Sequence, residues 1–227
     1  MSPRPLLLLG AGGLAREVLA AAGLLTDDWC VLGMVDDDPA RHGKEVDGVP
    51  VLGSTELVDE YPDAALLACV ASSRRPTGRQ QLVERLNQPP WRWATLVHPA
   101  ASVAPGTWIG EGSVLLAGTV VTTPQRVGAH VLAMPQVLLT HDDDVDDFVT
   151  LAGRVALAGG VSVGSAAYLG SGALVREGLR IGQGAVIGMG SVVLSDVPAG
   201  QTWAGVPAHP IDAVVLTQLT ATFQEES

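Results

Sequence analysis

The sequence has few aromatic residues and few positive charges, and each shortage excludes a class of structure or partner. Aromatic residues make up 4% of the chain although 47% of it is hydrophobic. We therefore expect a core of Val, Leu, Ala and Ile, which suits strands stacked in register better than a core built around large rings. Thirteen Lys and Arg stand against 24 Asp and Glu, which gives a net charge of -11. This balance argues against nucleic acid as a partner, because phosphates need Lys and Arg, and against an anionic membrane surface.

Cysteine is scarce, and long apolar runs are missing. Cys30 and Cys69 both lie in apolar stretches of the N-terminal half. We expect them to be reduced core residues of a cytosolic protein, with a disulfide as the minor alternative. The apolar stretch at residues 6–9 could begin a signal peptide, but Arg16 and Glu17 interrupt it. No run approaches the roughly 18 apolar residues of a membrane span, so we expect a soluble, cytoplasmic chain.

The chain is rich in glycine and carries an aliphatic repeat. Its 27 glycines form no collagen-like triplet and indicate many tight turns. In the second half an aliphatic residue recurs every six positions. The recurring residues are Val97, Val103, Ile109, Leu115, Val121, Val127, Ala133, Leu139, Val145, Leu151, Leu157, Val163, Leu169, Val175, Ile181, Ile187 and Val193. A period of six is neither helical nor a simple alternating strand, and it is typical of hexapeptide β-helices.

The repeat predicts a triangular prism. Three short strands, each turned by about 120° from the last, form one coil of three hexads. The aliphatic residue points inward, and a small or β-branched residue four positions later fills the corner. Coils stack at strand spacing, about 4.8 Å, so that residues 18 apart lie above one another on the same face. The two ends of the stack need covers, which we assign to the preceding domain and to a helical tail at residues 211–227.

Residues 1–96 alternate apolar runs with helical patterns. Strands are predicted at residues 5–9, 30–35, 51–52, 64–71 and 93–97, and helices at residues 13–25, 56–61 and 77–87, the second capped by Ser54 or Thr55. Such alternation predicts a small parallel sheet with helices on its faces. The fold class is therefore an α/β Rossmann-like domain at residues 1–96 followed by an all-β parallel β-helix at residues 97–210.

The first strand-to-helix turn reads Gly-Ala-Gly-Gly-Leu-Ala at residues 10–15. Glycines at this place let backbone N–H groups approach a phosphate at the N-terminus of the helix. Asp36 closes the next strand, where an acidic residue commonly meets a ribose or base. The alternative is that the glycines only make a tight turn. Because a full NAD domain needs a longer chain, we expect a nucleotide held by its pyrophosphate rather than a nicotinamide cofactor.

This combination resembles the bacterial nucleotide-sugar acyltransferases of the bacillosamine N-acetyltransferase and sialic-acid O-acetyltransferase type. The resemblance covers nearly the whole chain, from Leu6 to about Pro210. Its motifs are Gly-Ala-Gly-Gly-Leu-Ala-Arg-Glu-Val at residues 10–18, His141-Asp142, Leu-Ala-Gly-Gly-Val at residues 157–161, and Ala-Gly-Val-Pro-Ala at residues 204–208. It implies a left-handed coil, a homotrimer with active sites between neighbouring prisms, acetyl-CoA as acyl donor and a nucleotide-activated sugar as acceptor.

The resemblance assigns the catalytic base to His141 and its partner carboxylate to Asp142. Histidine is the side chain best suited to take a proton near neutral pH from an amine or hydroxyl that attacks a thioester. A carboxylate on the other ring nitrogen fixes the tautomer and raises the basicity of the imidazole. Gly159 lies 18 residues after His141 and is expected to stack one coil away, where its N–H can donate to the thioester oxygen.

The resemblance also implies the binding residues. Acetyl-CoA contacts map onto Thr150, Gly159, Ser171 and Met189, and nucleotide-sugar contacts map onto Gly12, Gly13, Leu14, Asp36 and Asp37. This sequence departs from the family at Leu14, where many members carry His, and at Thr150, where some carry a second His. Ala-Ser-Ser at residues 71–73 replaces the usual Gly-Asn or Gly-Asp. These departures concern the identity of the nucleotide sugar more than the acyl transfer.

Simpler interpretations exist for several of these residues. His141 could be a solvated turn residue, and the acidic run at residues 142–147 could be a solvated edge. Asp143 stands where a small corner residue belongs, which suggests a wet cleft that could attract a cationic amine. Arg74 and Arg75 could hold a diphosphate or be ordinary loop charges. The histidines show no spacing for a metal site, so that we expect no metal.

Three functions remain open at this point. The first is N-acetylation of a nucleotide-activated amino sugar, in an enzyme with the chemistry described above. The second is the same chemistry on a sugar hydroxyl, which the sequence does not distinguish from the first. The third is a catalytically silent prism that binds a nucleotide sugar as a regulator or assembly partner. Release of thiol from acetyl-CoA separates the enzymes from the silent binder.

Overall fold

The computed structural model describes residues 2–211. The expected C-terminal helical cover at residues 211–227 therefore lies outside the described residues, apart from Ile211. Within the described part, no helix is long and apolar enough to cross a membrane.

The N-terminal part is a five-stranded sheet between two helices. Its strands are β1 (Arg4–Leu9), β2 (Trp29–Val35), β3 (Glu45–Val46), β4 (Val49–Gly53) and β5 (Ala65–Ala68), and its helices are α1 (Gly13–Ala22) and α2 (Gly78–Leu86). The strand order is β3-β4-β2-β1-β5, and all neighbours are parallel except β3 and β4. The predicted parallel sheet is therefore observed, with an antiparallel strand added at one edge.

The central strand explains why the sheet is covered on both faces. Leu6 and Leu8 of β1 share a core cluster with α1, whereas Leu7 and Leu9 share one with α2. All four side chains are fully buried, as a continuous apolar run requires when side chains alternate between two covered faces.

Several predicted boundaries are wrong. Helix α1 ends at Ala22 rather than residue 25, because the N–H groups of Leu24 and Leu25 turn back to carbonyls three residues earlier. Residues 55–60 form a 3₁₀-helix that Ser54 does not cap. The last predicted strand is reduced to Leu96–Val97, and Trp93 makes a single bridge to Leu66.

The β3–β4 hairpin was not predicted, although the sequence carries its signal. Asp47 and Gly48 connect the two strands with positive φ angles of 49° and 81°. Asp-Gly between two short apolar pairs is typical of a two-residue hairpin turn of this kind. Arg16 of α1 then pairs with the Asp47 carboxylate at 2.8 Å, at the exposed tip of the hairpin.

The cysteines differ from the prediction in one respect. Both are free, as expected, and Cys69 is buried, which raises the pKa of its thiol to about 12. Cys30, however, is exposed rather than part of the core. Side chains of β2 alternate between sheet faces, and the buried part of this strand begins only at Gly33.

The second half is the predicted triangular prism, built from two-residue strands on three faces. Face 1 contains β6 (Leu96–Val97), β9 (Val114–Leu115), β12 (Leu132–Ala133), β15 (Thr150–Leu151), β18 (Tyr168–Leu169), β21 (Val186–Ile187), β23 (Thr202–Gly205) and β24 (Ala208–Pro210). Face 2 contains β7 (Ser102–Val103), β10 (Val120–Val121), β13 (Leu138–Leu139), β16 (Ala156–Leu157), β19 (Leu174–Val175) and β22 (Val192–Val193). Face 3 contains β8 (Trp108–Ile109), β11 (Arg126–Val127), β14 (Asp144–Val145), β17 (Ser162–Val163) and β20 (Arg180–Ile181).

The register of the prism agrees with the period in the sequence. Leu139 pairs with Leu157, and Leu157 pairs with Val175, each partner lying 18 residues along the chain. From Leu115 to Val193 the inward aliphatic residues are buried to 3% exposure or less and form one core cluster, against which the partly buried Val97, Val103 and Ile109 pack. Two-residue turns connect the faces. We call the line of turns at residues 117–118, 135–136, 153–154, 171–172 and 189–190 edge 1–2, and the line at residues 123–124, 141–142, 159–160 and 177–178 edge 2–3.

The N-terminal domain packs against face 1. Outward residues Val114 and Leu132 of that face belong to the same core cluster as Leu6 and Leu8. We predicted that this domain covers the first end of the prism, whereas the contacts show that it covers a side. Helix α1 lies close to edge 1–2.

A buried arginine joins the two domains. Arg79 of α2 is 2% exposed. Its guanidinium donates hydrogen bonds to the carbonyl oxygens of His130, Phe148 and Val149 and to the hydroxyl of Thr150, at 2.7–3.1 Å. Burial lowers the pKa of Arg79 to about 9. The bonded carbonyl groups belong to turns of the prism, so α2 is fixed to one side of it.

We predict that Arg79→Ala lowers the free energy of unfolding by about 3 kcal/mol or more, because it leaves several buried carbonyl groups without a donor. Urea denaturation followed by circular dichroism measures this loss. The matched control is Arg74→Ala, which removes an exposed arginine of the preceding loop and should cost less than about 0.5 kcal/mol. Equal stabilities of the two variants would contradict the role of Arg79.

Candidate active site

His141 and Gly159 lie in successive turns of edge 2–3. Their coils are joined by the Gly160 N–H, which donates to the His141 carbonyl oxygen at 2.9 Å. A Cβ built on Gly159 would lie 2.3 Å from Cε1 and 2.4 Å from Nε2 of His141. The imidazole therefore lies directly over the Gly159 backbone, in the space that any side chain at residue 159 would fill. The 18-residue spacing predicted this stacking.

The His141 ring carries its partner on the far nitrogen. Nδ1 lies 2.8 Å from an Asp142 carboxylate oxygen, and the two side chains are 67% and 85% exposed. With Nδ1 donating to the carboxylate, Nε2 is left as the acceptor and faces the Gly159 backbone. Asp142 adopts a φ of 61° in this turn, a conformation that Asp tolerates better than most residues. The pair is thus solvent-facing and has one basic nitrogen available.

The Gly159 N–H is available as a donor. Among the described residues it makes no backbone hydrogen bond, whereas the neighbouring Ala158 and Gly160 N–H groups are paired within the prism. The same holds for Ser171 and Met189, which occupy the same turn position on edge 1–2. The N–H groups at the first position of these three turns are therefore not used by the backbone of the prism. At Gly159, no side chain stands between this N–H and the histidine.

Asp143 does not lie in a wet cleft, contrary to the prediction. It is 3% exposed, and its carboxylate accepts hydrogen bonds from the N–H groups of Thr140 and Val161 at 2.8 and 2.9 Å. Burial raises the pKa of Asp143 to about 6, against the effect of these two hydrogen bonds, which lower it. The carboxylate therefore fills the corner of the prism. It is not exposed to solvent, where it could attract a cationic amine.

The residues expected to contact acetyl-CoA are not all together. Ser171 and Met189 stack on edge 1–2, exposed to solvent, with Met189 81% exposed. Thr150 is 4% exposed under the N-terminal domain, where its hydroxyl accepts from Arg79. The Thr150 side chain is therefore not exposed on edge 1–2 beside Ser171 and Met189. Thr150, where some family members carry His, provides a small hydroxyl group that accepts a hydrogen bond from Arg79.

A hollow of about 790 Å³ lies where α1 approaches edge 1–2. Its floor is apolar, with Leu116, Met134 and Pro135, while Glu17, Gln136 and Arg154 supply polar groups and Ser171 its lower end. His98 lines this hollow too. Sequence reasoning missed the hollow because α1 and edge 1–2 are more than 90 residues apart in the chain.

The glycine turn forms a second, smaller hollow of about 330 Å³. Gly12, Gly13, Leu14 and Asp36 all line it, as predicted. A Cβ built on Gly12 or Gly13 would meet nothing within 4 Å, so space remains in front of the N-terminus of α1. The structure thus brings four of the five predicted nucleotide residues together at the carboxyl ends of the strands.

The acidic residues at the end of β2 diverge. Asp36 accepts from the Ala11 N–H at 2.7 Å, which stabilises the glycine turn from within. Asp37 points away from this hollow and pairs with Arg85 at 2.6 Å. Burial raises the pKa of Asp37, but hydrogen bonds from Thr55 and the Arg85 pair lower it overall. Asp37 therefore does not line the glycine hollow.

Sequence reasoning missed Arg41. Its guanidinium donates to the Ala11 carbonyl oxygen at 2.6 Å and lies 3.4 Å from Asp38, at the rim of the glycine hollow. The 3₁₀-helix Pro39–Arg41, which begins with an Asp-Pro signal, directs this residue back to the turn. Arg75, considered for a diphosphate, instead lines a separate hollow of about 400 Å³ with Asp37 and Arg85.

The buried histidine of the prism, His130, does not lie on the exposed edge that carries His141. His130 is buried between Trp93 and Phe148, with ring centroids 4.9 Å from each, and burial lowers its pKa to about 4. In residues 2–211, no group of three His, Cys, Asp or Glu side chains is placed to hold a metal ion. A prism of hexapeptides with a solvent-facing His-Asp pair over a glycine is instead the arrangement of a hexapeptide-repeat acyltransferase.

Comparison with known proteins supports this class. The chain is 34% identical over 110 residues to the UDP-N-acetylbacillosamine N-acetyltransferase of Bacillus subtilis (strain 168), a match that spans about half of each protein (48%). Among solved structures, the acetyltransferase domain of PglB from Neisseria gonorrhoeae FA1090 is 31% identical with a TM-score of 0.80, over 92% of this chain and all of that one. PerB from Caulobacter crescentus, solved with CoA and GDP-perosamine, is 30% identical with a TM-score of 0.79, over 92% and 97% of the two chains. No protein-family model matches the sequence.

The identity and the coverage of these matches assign the chain to a family. The chain belongs to the hexapeptide-repeat sugar N-acetyltransferases, which are built on a left-handed β-helix. The predicted resemblance is therefore confirmed.

We predict that Gly159→Ala lowers kcat for acetyl transfer by about 100-fold, because the new Cβ must displace the His141 ring from its position over the turn. Initial rates of thiol release measure the effect. The fold should be unaffected, since alanine already occupies the same turn position at Ala117 and Ala129.

The matched control is Gln183→Ala, at the same turn position on the remaining edge. Its turnover and melting temperature should equal those of the wild type. A Gly159→Ala protein with wild-type kcat would show that the contact between residue 159 and His141 is unimportant.

Proposed function

We propose that the protein transfers an acetyl group from acetyl-CoA to the amine of a nucleotide-activated amino sugar. The observation that carries this proposal is the His141 ring over Gly159, with Asp142 on the opposite ring nitrogen. Relatives support the substrates, since one is an N-acetyltransferase of a UDP-linked sugar and another binds CoA and GDP-perosamine.

Each of the three groups has its own role in the proposed chemistry. The acceptor amine attacks the thioester carbon and loses a proton to Nε2 of His141, while Asp142 holds the ring in the tautomer that leaves Nε2 unprotonated. The Gly159 N–H donates to the carbonyl oxygen as negative charge develops on it. The carbon–sulfur bond then breaks, and the proton on His141 neutralises the departing thiolate. An amide and free CoA result.

The nucleotide is proposed to bind at the glycine hollow of the domain at residues 1–96. Free N–H groups at the N-terminus of α1 favour the anionic pyrophosphate, and Arg41 adds a positive charge at the rim. Gly12 and Gly13 permit close approach because nothing fills the space where side chains would stand. Leu14 lines the same space and would contact the ligand through its apolar side chain.

A homotrimer is proposed because the residues of the site lie on the two opposite edges of face 2, too far apart to act together within one chain. His141 and Gly159 lie on edge 2–3, and Ser171 and Met189 lie on edge 1–2. The width of face 2 separates them, a hexad of roughly 15 Å. When three prisms pack through face 2 about a threefold axis, edge 2–3 of one copy meets edge 1–2 of the next.

The composition of face 2 supports this packing. Apart from Ser102 in its first strand, its outward residues are apolar, namely Val120, Leu138, Ala156, Leu174 and Val192, and Leu174 is 47% exposed. A continuous exposed apolar face is typical of an interaction surface. Outward residues of face 3, in contrast, include Arg126, Asp144 and Arg180.

Axial height supports the same arrangement. One coil of 18 residues rises about 4.8 Å, or roughly 0.27 Å per residue. His141 therefore lies within about 3 Å in height of Pro135 and Gly153 on edge 1–2, whereas Ser171 and Met189 lie about 8 and 13 Å further along. A pantetheine arm laid from Met189 past Ser171 brings its thioester to the height of the neighbouring His141. The hollow lined by Gln136 and Arg154 is at this height and is proposed to receive the acceptor sugar.

We predict that His141→Ala lowers kcat by about 10²–10⁴-fold, since it removes the general base. The assay is thiol release from acetyl-CoA with a panel of UDP-, GDP- and dTDP-linked amino sugars, followed by mass spectrometry of the product. Asp142→Asn should lower kcat too, whereas the control Asp144→Asn, on the outward side of face 3, should not.

Three results would contradict the proposal. The first is wild-type turnover by His141→Ala. The second is acetylation of hydroxyl acceptors alone, which would favour O-acetylation. The third is binding of nucleotide sugars without any thiol release, which would favour a silent binding protein.

A further inference from the structure

The Asp143 carboxylate connects the two turns that carry the proposed catalytic groups. Oδ2 accepts from the Thr140 N–H at 2.8 Å, immediately before His141. Oδ1 accepts from the Val161 N–H at 2.9 Å, two residues after Gly159. One buried side chain thus bonds to the backbone on both sides of the stacked pair.

Other corners of the prism are made differently. At Val155, Ala167, Ala173 and Ala185 the corner N–H bonds to the carbonyl three residues earlier, within its own turn, at 3.0–3.2 Å. The corner N–H group of these four residues therefore makes no hydrogen bond to the coil before it. At Val161 the carboxylate of the previous coil replaces that local bond.

Ser113 provides the nearest equivalent on another edge. Its hydroxyl accepts from the Val131 N–H of the next coil at 2.9 Å and donates to the Gly128 carbonyl at 2.8 Å. It has a single oxygen and does not bond to an N–H of its own turn. Among the described corners, only Asp143 uses two oxygens to hold an N–H from each of two successive turns.

The carboxylate is costly for the fold. It is 3% exposed, and no Lys or Arg of the described residues forms an ion pair with it. The charged or titratable groups that face it are His141 and Asp142, and Gln125 of the previous coil accepts from its N–H at 3.1 Å. Valine fills the corner in both flanking positions of the same type, Val137 and Val149. A buried charge without a cation is expected to be less stabilising than such a valine.

We propose that Asp143 is a positioning residue for acetyl transfer, which fixes the separation between Nε2 of His141 and the N–H of Gly159 by clamping their two turns. This inference rests on the proposed function of the same site. The loss in stability is then offset by a defined geometry of base and donor, since a displacement of about 1 Å can cost about 100-fold in rate.

The test compares Asp143→Val and Asp143→Asn with the wild type. Asp143→Val supplies the corner residue found elsewhere in the prism, so the melting temperature should be unchanged or higher. Its kcat should fall by about 10- to 100-fold, with KM for acetyl-CoA within about twofold, because no binding residue is touched. Asp143→Asn keeps one acceptor oxygen and should recover part of the lost kcat.

Ser113→Val is the matched control, since it removes the equivalent inter-coil hydrogen bond far from His141. It should change the melting temperature but leave kcat at the wild-type value. Wild-type kcat in Asp143→Val, in a preparation where His141→Ala is inactive, would overturn the positioning role and leave the proposed function intact. Absence of acetyl transfer by the wild type with every amino-sugar acceptor would overturn the proposed function, and this inference with it.

Discussion

The parallel pairing of residues 18 apart is the constraint on which this structure depends. Each inward aliphatic residue is stacked on another one coil away, as Leu139 is on Leu157. Because the register of a strand is fixed by which side chains are buried, a shift by one residue would expose the whole core. The same register places His141 over Gly159. The geometry of the proposed site is therefore set by the core of the prism rather than by a flexible loop.

The N-terminal domain is fixed to this frame by a polar contact. Arg79 bonds to the carbonyl oxygens of His130 and Phe148, which accept no hydrogen bond from the backbone of the prism. Buried hydrogen bonds specify a geometry more narrowly than apolar packing does. Helix α1 borders both the glycine hollow and edge 1–2, which brings the proposed sites for the nucleotide sugar and the acyl donor to the same helix.

Much of the fold could be predicted because the residues that determine it lie close together in the sequence. The hexads, the glycine turn and the spacing from His141 to Gly159 each follow from residues within one or two coils of each other. The Asp47-Gly48 hairpin carries an equally local signal, because Asp-Gly between two short apolar pairs is typical of a two-residue turn.

Other features depend on contacts between distant segments. The burial of Thr150 could not be predicted, because its partner Arg79 belongs to another domain. Asp143 was expected to be solvated, since a carboxylate has no evident partner in sequence, whereas its two partners are backbone N–H groups. The exposure of Cys30 and the divergence of Asp36 from Asp37 likewise follow from how β2 sits in the sheet.

The central claim is that an active cleft joins edge 2–3 of one chain to edge 1–2 of another, and subunit mixing tests it most directly. One parent carries His141→Ala and the other carries Ser171→Trp, which blocks the exposed edge where the acyl donor is proposed to lie. Each parent alone should be inactive. Random trimers from an equal mixture should recover about a quarter of wild-type turnover, because one cleft in four pairs an intact histidine with an intact edge. A mixture no more active than its parents would contradict a site shared between copies.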